Sequence, residues 1–256
     1  LPMGAAIWSS TESEMTAYPA EAFVRFFKNH KLVKFSGRPK WRTVLGGSQN
    51  YVSKLAAEMT QAGVAFPGAA AKVRREADVV HVTGADGIER SYDEVILACH
   101  SDEALALLED ADEQEEQFLF AVPYAPNIAV LHRDQSLLPE REHARAAWCY
   151  VRDAGSEAAS VSYDMNRLQG IRADKPLFVT LNPDREPDPA LTFARFEYGH
   201  PQFSAPGMAV QRVFNRIQGV RRTWFAGAWL GYGFHEDGLR SGLRVALRLG
   251  GSIPWT

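Results

Sequence analysis

The hydrophobic positions of this chain follow a helical period in several stretches. Residues 20–30 and 49–59 carry apolar side chains three or four positions apart, which predicts one amphipathic helix in each stretch. Residues 101–108 predict a third helix, capped by Ser101 or Asp102, and residues 208–217 predict a fourth. The acidic run that follows the third helix, from Glu109 to Glu116, is interpreted as a solvent-exposed face.

Between residues 63 and 101 the pattern changes to short runs of β-branched and apolar residues, which predict strands. The predicted strands lie at 64–66, 71–75, 79–83, 88–92 and 93–99. Asp86-Gly87 predicts a hairpin turn within this region. Later runs predict a second, mixed sheet, and they lie at 118–132, 144–151, 160–165, 177–181 and 193–198.

Residues 222–251 combine a short apolar strand, a glycine-rich loop and a helix. Three glycines punctuate the loop: Gly227, Gly231 and Gly233. Asp237 occupies the expected N-cap position, and Gly250-Gly251 ends the helix. The apolar stripe of this helix comprises Leu239, Leu243, Ala246 and Leu247. This order of elements favours an electron-rich ligand, because unpaired backbone N–H groups point out of a helix start.

The motifs of this segment resemble a known flavoprotein pattern. Phe-Ala-Gly at 225–227, Gly-Tyr at 231–232 and Ser-Gly at 241–242 resemble the C-terminal FAD motif of the flavin-containing amine oxidase superfamily. Residues 231–242 are similar to a narrower group of bacterial NAD/FAD-binding oxidoreductases. The resemblance implies that the strand and loop follow the ribityl chain and that the helix N-terminus faces the flavin ring. Ala228 departs from the pattern, because the family usually has an acidic residue there.

Two further landmarks follow the same family order. Gly46-Gly47 resembles the Gly-Gly that precedes a helix of the FAD domain, and the Asp-Gly hairpin before residues 93–98 resembles a third landmark. The resemblance implies that Val73 meets the adenine through its backbone and that the strand ending at Ala98 lies near the diphosphate. Each landmark has a plain structural alternative: an α/β unit, an ordinary helix start, or a meander that feeds a parallel sheet.

Together these features predict an α/β fold, as a mixture of helices and sheets. Part of an FAD/NAD(P)-binding Rossmann-like domain, at 41–101 and 211–256, would be joined to a mixed-sheet substrate domain at 1–40 and 102–210. The sequence contains no G-x-G-x-x-G, the fingerprint that holds the FAD diphosphate in this superfamily. We therefore expect a longer parent chain whose N-terminal segment supplies it, and without that segment we expect weak FAD binding or a homo-oligomer that covers the open sheet edge.

Charge and cysteine content exclude several classes of protein. The formal net charge of −3 argues against a nucleic-acid partner, and the basic, aromatic stretch 38–42 is interpreted as a surface turn or as an arginine packed on Trp41. Cys99 and Cys149 form no C-x-x-C pair, which disfavours a disulfide scaffold or zinc-thiolate site and favours a reducing, cytoplasmic location. The sequence contains no apolar run of about 18 residues that would predict a membrane span.

The candidate catalytic residues lie in the glycine-rich loop and at the helix start. Trp229 and Tyr232 are expected to line the substrate side of the flavin, with core packing as the alternative, and His235 is a candidate proton relay. A metal site at His235-Glu236 is disfavoured, since adjacent side chains diverge and no third ligand has suitable spacing. Gly242 is expected to pack closely on the cofactor or the sheet. The candidate cofactor-binding residues are Val73, Ala98, Gly227, Ala228, Asp237, Gly238, Leu239 and Gly242.

The sequence thus predicts an FAD-dependent oxidoreductase, resembling the amine oxidases, that transfers hydride from a C–H bond of a small or apolar substrate to flavin. In such enzymes the protein mainly binds and orients the cofactor. The alternative is a non-catalytic fragment or binding module that retains the flavoprotein fold, which Ala228 favours. An α/β hydrolase is disfavoured, because the sequence has no G-x-S-x-G nucleophile elbow.

Overall fold

The structure is a computed structural model that describes residues 2–8, 12–37, 40, 42–152, 160–172, 174–253 and 255. These residues form two compact units. The first unit comprises Leu1–Ala65 and Ala125–His200, and the second comprises Phe66–Tyr124 and Pro201–Thr256. Helices and several sheets occur together, which confirms the predicted α/β mixture. Trp41, on which the interpretation of the stretch 38–42 depends, lies outside the described part.

The described α-helices are α1 (Pro2–Trp8), α2 (Glu12–Ala17), α3 (Ala20–Asn29), α4 (Gln49–Gln61), α5 (Ser101–Leu107), α6 (Glu113–Phe120), α7 (Met165–Gln169), α8 (Ala205–Val213) and α9 (His235–Arg248). The described strands are β1 (Ala70–Arg75), β2 (Val80–Gly84), β3 (Glu89–Tyr92), β4 (Val95–Leu97), β5 (Tyr124–His132), β6 (Trp148–Val151), β7 (Ser160–Asp164), β8 (Phe178–Leu181), β9 (Thr192–Pro201) and β10 (Thr223–Phe225).

The first unit is built on a five-stranded sheet with the order β6-β7-β8-β5-β9. The pairs β6/β7, β7/β8 and β8/β5 are antiparallel. Alternation along the strands places Cys149, Ser162 and Thr180 on a buried face. The N-terminal helices form an aromatic cluster, in which the ring centroids of Trp8 and Phe26 lie 4.9 Å apart.

The second unit contains an antiparallel sheet, β1-β2-β3, and a parallel pair, β10-β4. The predicted hairpin is confirmed: Gly87 has a φ of 75°, and the Asp86 carboxylate accepts a hydrogen bond from the Ile88 backbone N–H at 3.0 Å. The core of this unit is shared by strands and helices alike. It includes Val73, Val80, Leu97, Ala104, Leu108, Phe118, Leu119, Phe214, Phe225 and Trp229.

Several boundaries differ from those that the sequence predicts. Residues 64–66 form no strand, and residues 113–120, where a strand or exposed segment was expected, form α6. Helices α5 and α6 belong to the second unit, because Ala104, Phe118 and Leu119 complete its core. The boundaries between the two units lie at 65/66, 124/125 and 200/201, whereas the sequence predicts domain boundaries at 40/41, 101/102 and 210/211.

Two local predictions about α5 and the acidic run need correction. His100, rather than Ser101 or Asp102, is the N-cap of α5, and its backbone N–H donates to Glu103 Oε2 at 3.1 Å. The acidic run is not a purely solvated face, since Glu115 is fully buried against Arg75.

Candidate functional site

The site is organised by the parallel pair β4 and β10. Phe225 lies opposite Leu97, and the Ala226 N–H donates to the Leu97 carbonyl at 3.0 Å, which extends the pairing beyond the strand. The Gln218 side chain occupies the other edge of β10. Its Nε2 atom donates to the Phe225 carbonyl at 2.7 Å and its Oε1 atom accepts from the Phe225 N–H at 2.9 Å, as the backbone of a neighbouring strand would. The carboxyl ends of both strands therefore meet at one edge, where open α/β sheets bind ligands.

The loop after β10 is fixed by two polar side chains. Ser241 Oγ accepts from the Gly227 N–H at 2.9 Å and donates to the Gly238 carbonyl at 2.7 Å, so it joins the start of the loop to α9. Gln211 Nε2 donates to the carbonyls of Trp229 and Gly231 at 2.7 and 2.9 Å. Sequence reasoning missed both side chains. The sequence signal that could have identified them is a polar residue within the apolar pattern of a helix.

Asp237 holds the turn into α9, although not as the N-cap. The N-cap is Phe234, and Asp237 is the third residue of the helix. Its Oδ2 atom accepts from the backbone N–H groups of Tyr232 and Phe234 at 3.0 and 3.2 Å. A Cβ at Gly231 would collide with the Asp237 side chain, so glycine at this position lets the carboxylate approach the loop. A negative charge in the first helical turn is also favoured by the helix dipole.

Trp229 is a core residue, and the expectation that it lines a substrate surface is wrong. Its side chain is only 2% exposed. The indole N–H donates to the Cys99 carbonyl at 3.1 Å, and the ring packs edge-on against Phe214 at a centroid distance of 5.0 Å. A 3₁₀ turn at Ala228–Leu230 directs the side chain inward. Trp229 therefore ties the ends of β4 and β10 together from inside the unit.

The face of α9 that is buried differs from the predicted stripe. Ser241 and Val245 are buried, whereas Leu239 and Leu247 are each 49% exposed. The hydrogen bond that Ser241 makes to the loop sets this rotation of the helix. The expected close packing of Gly242 on the sheet is also wrong, because a Cβ at this position would meet no described atom within 4 Å.

The remaining predicted residues occupy several environments. Val73 is fully buried, and its carbonyl accepts from the Glu109 N–H at 3.0 Å. Ala98 is exposed directly after β4, and Tyr232 is half-buried in the loop. His235 is exposed as the first residue of α9. The structure thus brings Gly227, Ala228, Tyr232, Asp237 and Gly238 together, with Ala98 following the neighbouring strand.

The described residues give no support for thiolate chemistry at Cys99, for a metal site or for a membrane-spanning helix. Burial raises the pKa of the Cys99 thiol, which favours the neutral form. Within the described ranges, no group of three or more His, Cys, Asp or Glu residues is placed to hold a metal ion. Of the helices that the structure describes, none is long and apolar enough to cross a membrane.

Comparison with known proteins places the fold. Neither a protein-family model nor a curated protein matches the chain. Among solved structures, putrescine oxidase bound to putrescine is 15% identical with a TM-score of 0.54, over 80% of this chain and 53% of that one. Cyclohexylamine oxidase from Brevibacterium oxydans IH-35A is 12% identical with a TM-score of 0.51, over 79% and 52%.

A fatty acid isomerase from P. acnes, described as producing CLA, is 16% identical with a TM-score of 0.51, over 70% of this chain and 47% of that one. The chain thus spans about half the length of each of these structures. This likeness confirms the fold that the sequence resemblance implied. The chain has part of the fold of the flavin-containing amine oxidases.

Proposed function

We propose that the protein is an FAD-dependent oxidoreductase that takes hydride from a C–H bond of a small or apolar substrate. The observation that carries this proposal is the arrangement of β4 and β10, which lie parallel with Phe225 opposite Leu97 and each lead into a helix. Such strand ends, followed by a helix N-terminus, form the usual ligand position of open α/β sheets. The likeness to two amine oxidases supports the reaction class.

The open space next to the glycines of α9 is suited to a flat cofactor. Gly238 and Gly242 lie one helical turn apart, so both fall on one side of the helix. A Cβ at Gly238 would meet only Ala228, at 3.8 and 3.9 Å, and one at Gly242 would meet nothing within 4 Å. A ring can therefore approach the helix backbone closely at this position. We propose that these glycines, with Gly227, Ala228 and Leu239, hold the ribityl and ring portions of FAD.

Bound flavin would supply the hydride acceptor, and the residues of the chain would orient it and the substrate. Asp237 and Ser241 keep the loop and the start of α9 in one arrangement through their hydrogen bonds to backbone groups. We propose that Tyr232, half-buried in this loop, contacts the substrate, and that His235, exposed at the helix start, relays protons. In the same proposal Val73 and Ala98 contact the adenine and diphosphate portions through their backbones.

The diphosphate portion requires residues beyond this arrangement. The sequence lacks the glycine-rich fingerprint, and the acidic residue usual after Phe-Ala-Gly is Ala228. Among the described strands, β4 has a neighbour on one side only, and Ile96 on this strand is 47% exposed. We propose that a further segment of the parent protein, or a second copy of the chain, covers this edge and that the segment supplies the fingerprint.

An absorbance spectrum of the full protein tests the proposal. A bound flavin gives the protein a yellow colour, and mixing it with substrate under anaerobic conditions bleaches the flavin band. Putrescine and cyclohexylamine are the first amines to test, because they are the compounds named for two proteins of similar fold. Purified protein that neither contains flavin nor takes it up from added FAD would contradict the proposal.

The second candidate function is a binding module that keeps the flavoprotein fold without redox turnover. Ala228 favours it, because loss of the acidic side chain removes a usual cofactor contact. The substitution Ala228→Glu separates the two candidates. If the protein is a weakened flavoenzyme, restoring the carboxylate raises flavin content and turnover together. If it is a binding module, flavin content and turnover both stay near zero in the variant.

A further inference from the structure

The first unit contains an open groove, and none of the described residues that line it belongs to the strand–loop–helix segment of residues 222–251. Its volume is about 560 Å³, within the usual range for small-molecule sites. Strands β7 and β8, helix α7 and the segment after residue 41 surround it. The groove is lined by Arg42, Thr43, Tyr163, Met165, Arg167, Leu168, Gln169 and Val179.

The floor of the groove is one face of the five-stranded sheet. Trp148, Tyr163 and Val179 are register neighbours on β6, β7 and β8, so their side chains project from the same face. The opposite face is buried and carries Ser162 and Thr180. The floor is therefore a row of large side chains that is only partly covered by the chain.

Two polar groups in the groove have no partner among the described residues. The Arg42 guanidinium makes neither an ion pair nor a hydrogen bond there, and the same holds for the Tyr163 hydroxyl. Burial raises the pKa of Tyr163, so its hydroxyl remains a neutral donor. The other cation, Arg167, is already occupied: its Nε atom lies 3.2 Å from Asp164 Oδ2, and Nη1 donates to the Arg145 carbonyl at 2.7 Å.

The charge of the residues that line the groove indicates which class of ligand it would bind. None of the described residues that line it carries a carboxylate, and within the same part of the chain Arg42 has no counter-ion. Met165, Leu168 and Val179 provide apolar surface beside this cation. A ligand that satisfies both features has one anionic oxygen group and an apolar tail. An amine would bring another positive charge beside Arg42 and meet no carboxylate among the described lining residues.

We propose that this groove binds an amphipathic monocarboxylate, with the carboxylate on Arg42 and Tyr163 and the apolar tail on Met165, Leu168 and Val179. A carboxylate accepts charge-assisted hydrogen bonds from a guanidinium in a bidentate geometry that an alcohol cannot match. This inference goes beyond the proposed flavin chemistry. Binding in the groove requires no flavin, so it is tested independently.

Trp148 provides a fluorescence reporter for the test. It lies in register with Tyr163 and is partly exposed. Decanoate, decan-1-ol and decylammonium share one tail length and differ in the head group. Each is titrated into the full protein below its micelle-forming concentration. We expect decanoate to change the fluorescence and to bind at least about ten-fold more tightly than the other two, in line with hydrogen bonds to charged groups.

Variants assign the binding to the groove. Trp148→Phe removes the signal but leaves decanoate affinity, measured by calorimetry, unchanged. Arg42→Gln weakens decanoate binding at least about ten-fold and leaves decanol unaffected, whereas Arg42→Lys, which keeps the charge but loses the bidentate geometry, retains only part of the affinity. Arg172→Gln is the matched control, because Arg172 is an exposed arginine of the same unit outside the groove. Equal binding of decanoate by wild-type protein and Arg42→Gln, or tighter binding of decylammonium, overturns the proposal.

Discussion

Arg75 and Glu115 form an ion pair in the interior of the second unit, with Arg75 Nη2 2.7 Å from Glu115 Oε2. The two side chains are 0% and 1% exposed. Arg75 also binds Asp110 through Nε at 2.9 Å and donates to Thr223 Oγ1 at 3.3 Å. Because Thr223 begins β10, this network connects β1 and α6 to the strand that carries the candidate site.

Arg75→Met removes the cation from this pair; Asp110 keeps its ion pair with Arg221, whereas Glu115 is left with Arg221 at 3.7 Å as its nearest cation. Breaking a buried pair from one side costs roughly 3–5 kcal/mol of unfolding free energy. Urea denaturation followed by circular dichroism measures the loss. Arg74→Met is the matched control, because Arg74 is only partly buried and pairs with Glu76 at the surface. The control should lose less than about 1 kcal/mol, and equal losses for both variants would contradict the assigned role.

The double variant Arg75→Met/Glu115→Leu checks the cause of that loss. Replacing both partners by apolar side chains of similar size removes the uncompensated charge, and such replacements are often neutral or stabilising. We expect the double variant to unfold at a higher urea concentration than Arg75→Met alone. A double variant that is less stable than the single one would show that packing around Glu115, rather than its charge, dominates.

The acidic run around Glu115 illustrates what the sequence cannot provide. Eight residues with six acids predict a solvated face, and the buried partner, Arg75, lies 40 positions away. Trp229 shows the same limit, since its acceptor, the Cys99 carbonyl, is 130 positions distant. Local signals fared better: the hairpin at Asp86-Gly87 and the strand–loop–helix order of residues 222–251 depend on short-range chemistry and were predicted.

The rotation of α9 was mispredicted for a related reason. The period of Leu239, Leu243 and Leu247 is truly helical, yet periodicity alone does not say which side of a helix meets the core. Ser241 decides it by bonding to Gly227, a contact between a helix and a loop that no hydrophobic pattern encodes. Polar residues within an apolar period are therefore the positions to inspect.

His132 predicts a loss of stability in acid. Its Nδ1 atom accepts from the Asp134 backbone N–H at 3.1 Å, so Nε2 carries the proton and donates to Thr180 Oγ1 at 2.7 Å. Burial lowers the pKa of His132 in the folded state. The unfolded chain then binds more protons, so stability is complete above the ordinary histidine pKa of about 6.5 and falls as the pH drops below it.

Urea midpoints measured across this pH range test the assignment. His132→Gln removes the titrating group, so the variant, though less stable at neutral pH, should lose less stability between neutral and acidic pH than the wild type. His143→Gln is the matched control, because His143 is exposed in the same unit. A pH profile of His132→Gln that runs parallel to the wild type would contradict the assignment.

Trp229 should contribute stability through packing and one hydrogen bond. Trp229→Phe keeps most of the ring volume but removes the N–H that the Cys99 carbonyl accepts, at a cost of about 1–3 kcal/mol for an unsatisfied buried acceptor. Trp229→Ala adds a cavity, for a total of about 3–5 kcal/mol. Denaturation of each variant, compared with the wild type, measures the loss of unfolding free energy, which should be larger for Trp229→Ala than for Trp229→Phe. Wild-type stability in Trp229→Ala would show that the side chain is not part of the core.

Gly242→Ala separates a ligand role from a structural role at the centre of α9. Alanine favours a helix over glycine by about 1 kcal/mol, and the added methyl group meets no described atom within 4 Å. The variant should therefore be as stable as the wild type or more stable. If the flavin lies against this face, the methyl group occupies its space, and flavin content per polypeptide falls. Arg244→Ala is the control, since this exposed position lies on the opposite side of the helix and should leave flavin content unchanged. Equal flavin content in Gly242→Ala and wild type would show that no ligand contacts α9 at Gly242, whereas loss of both flavin and stability would mean that the glycine serves the packing of the helix.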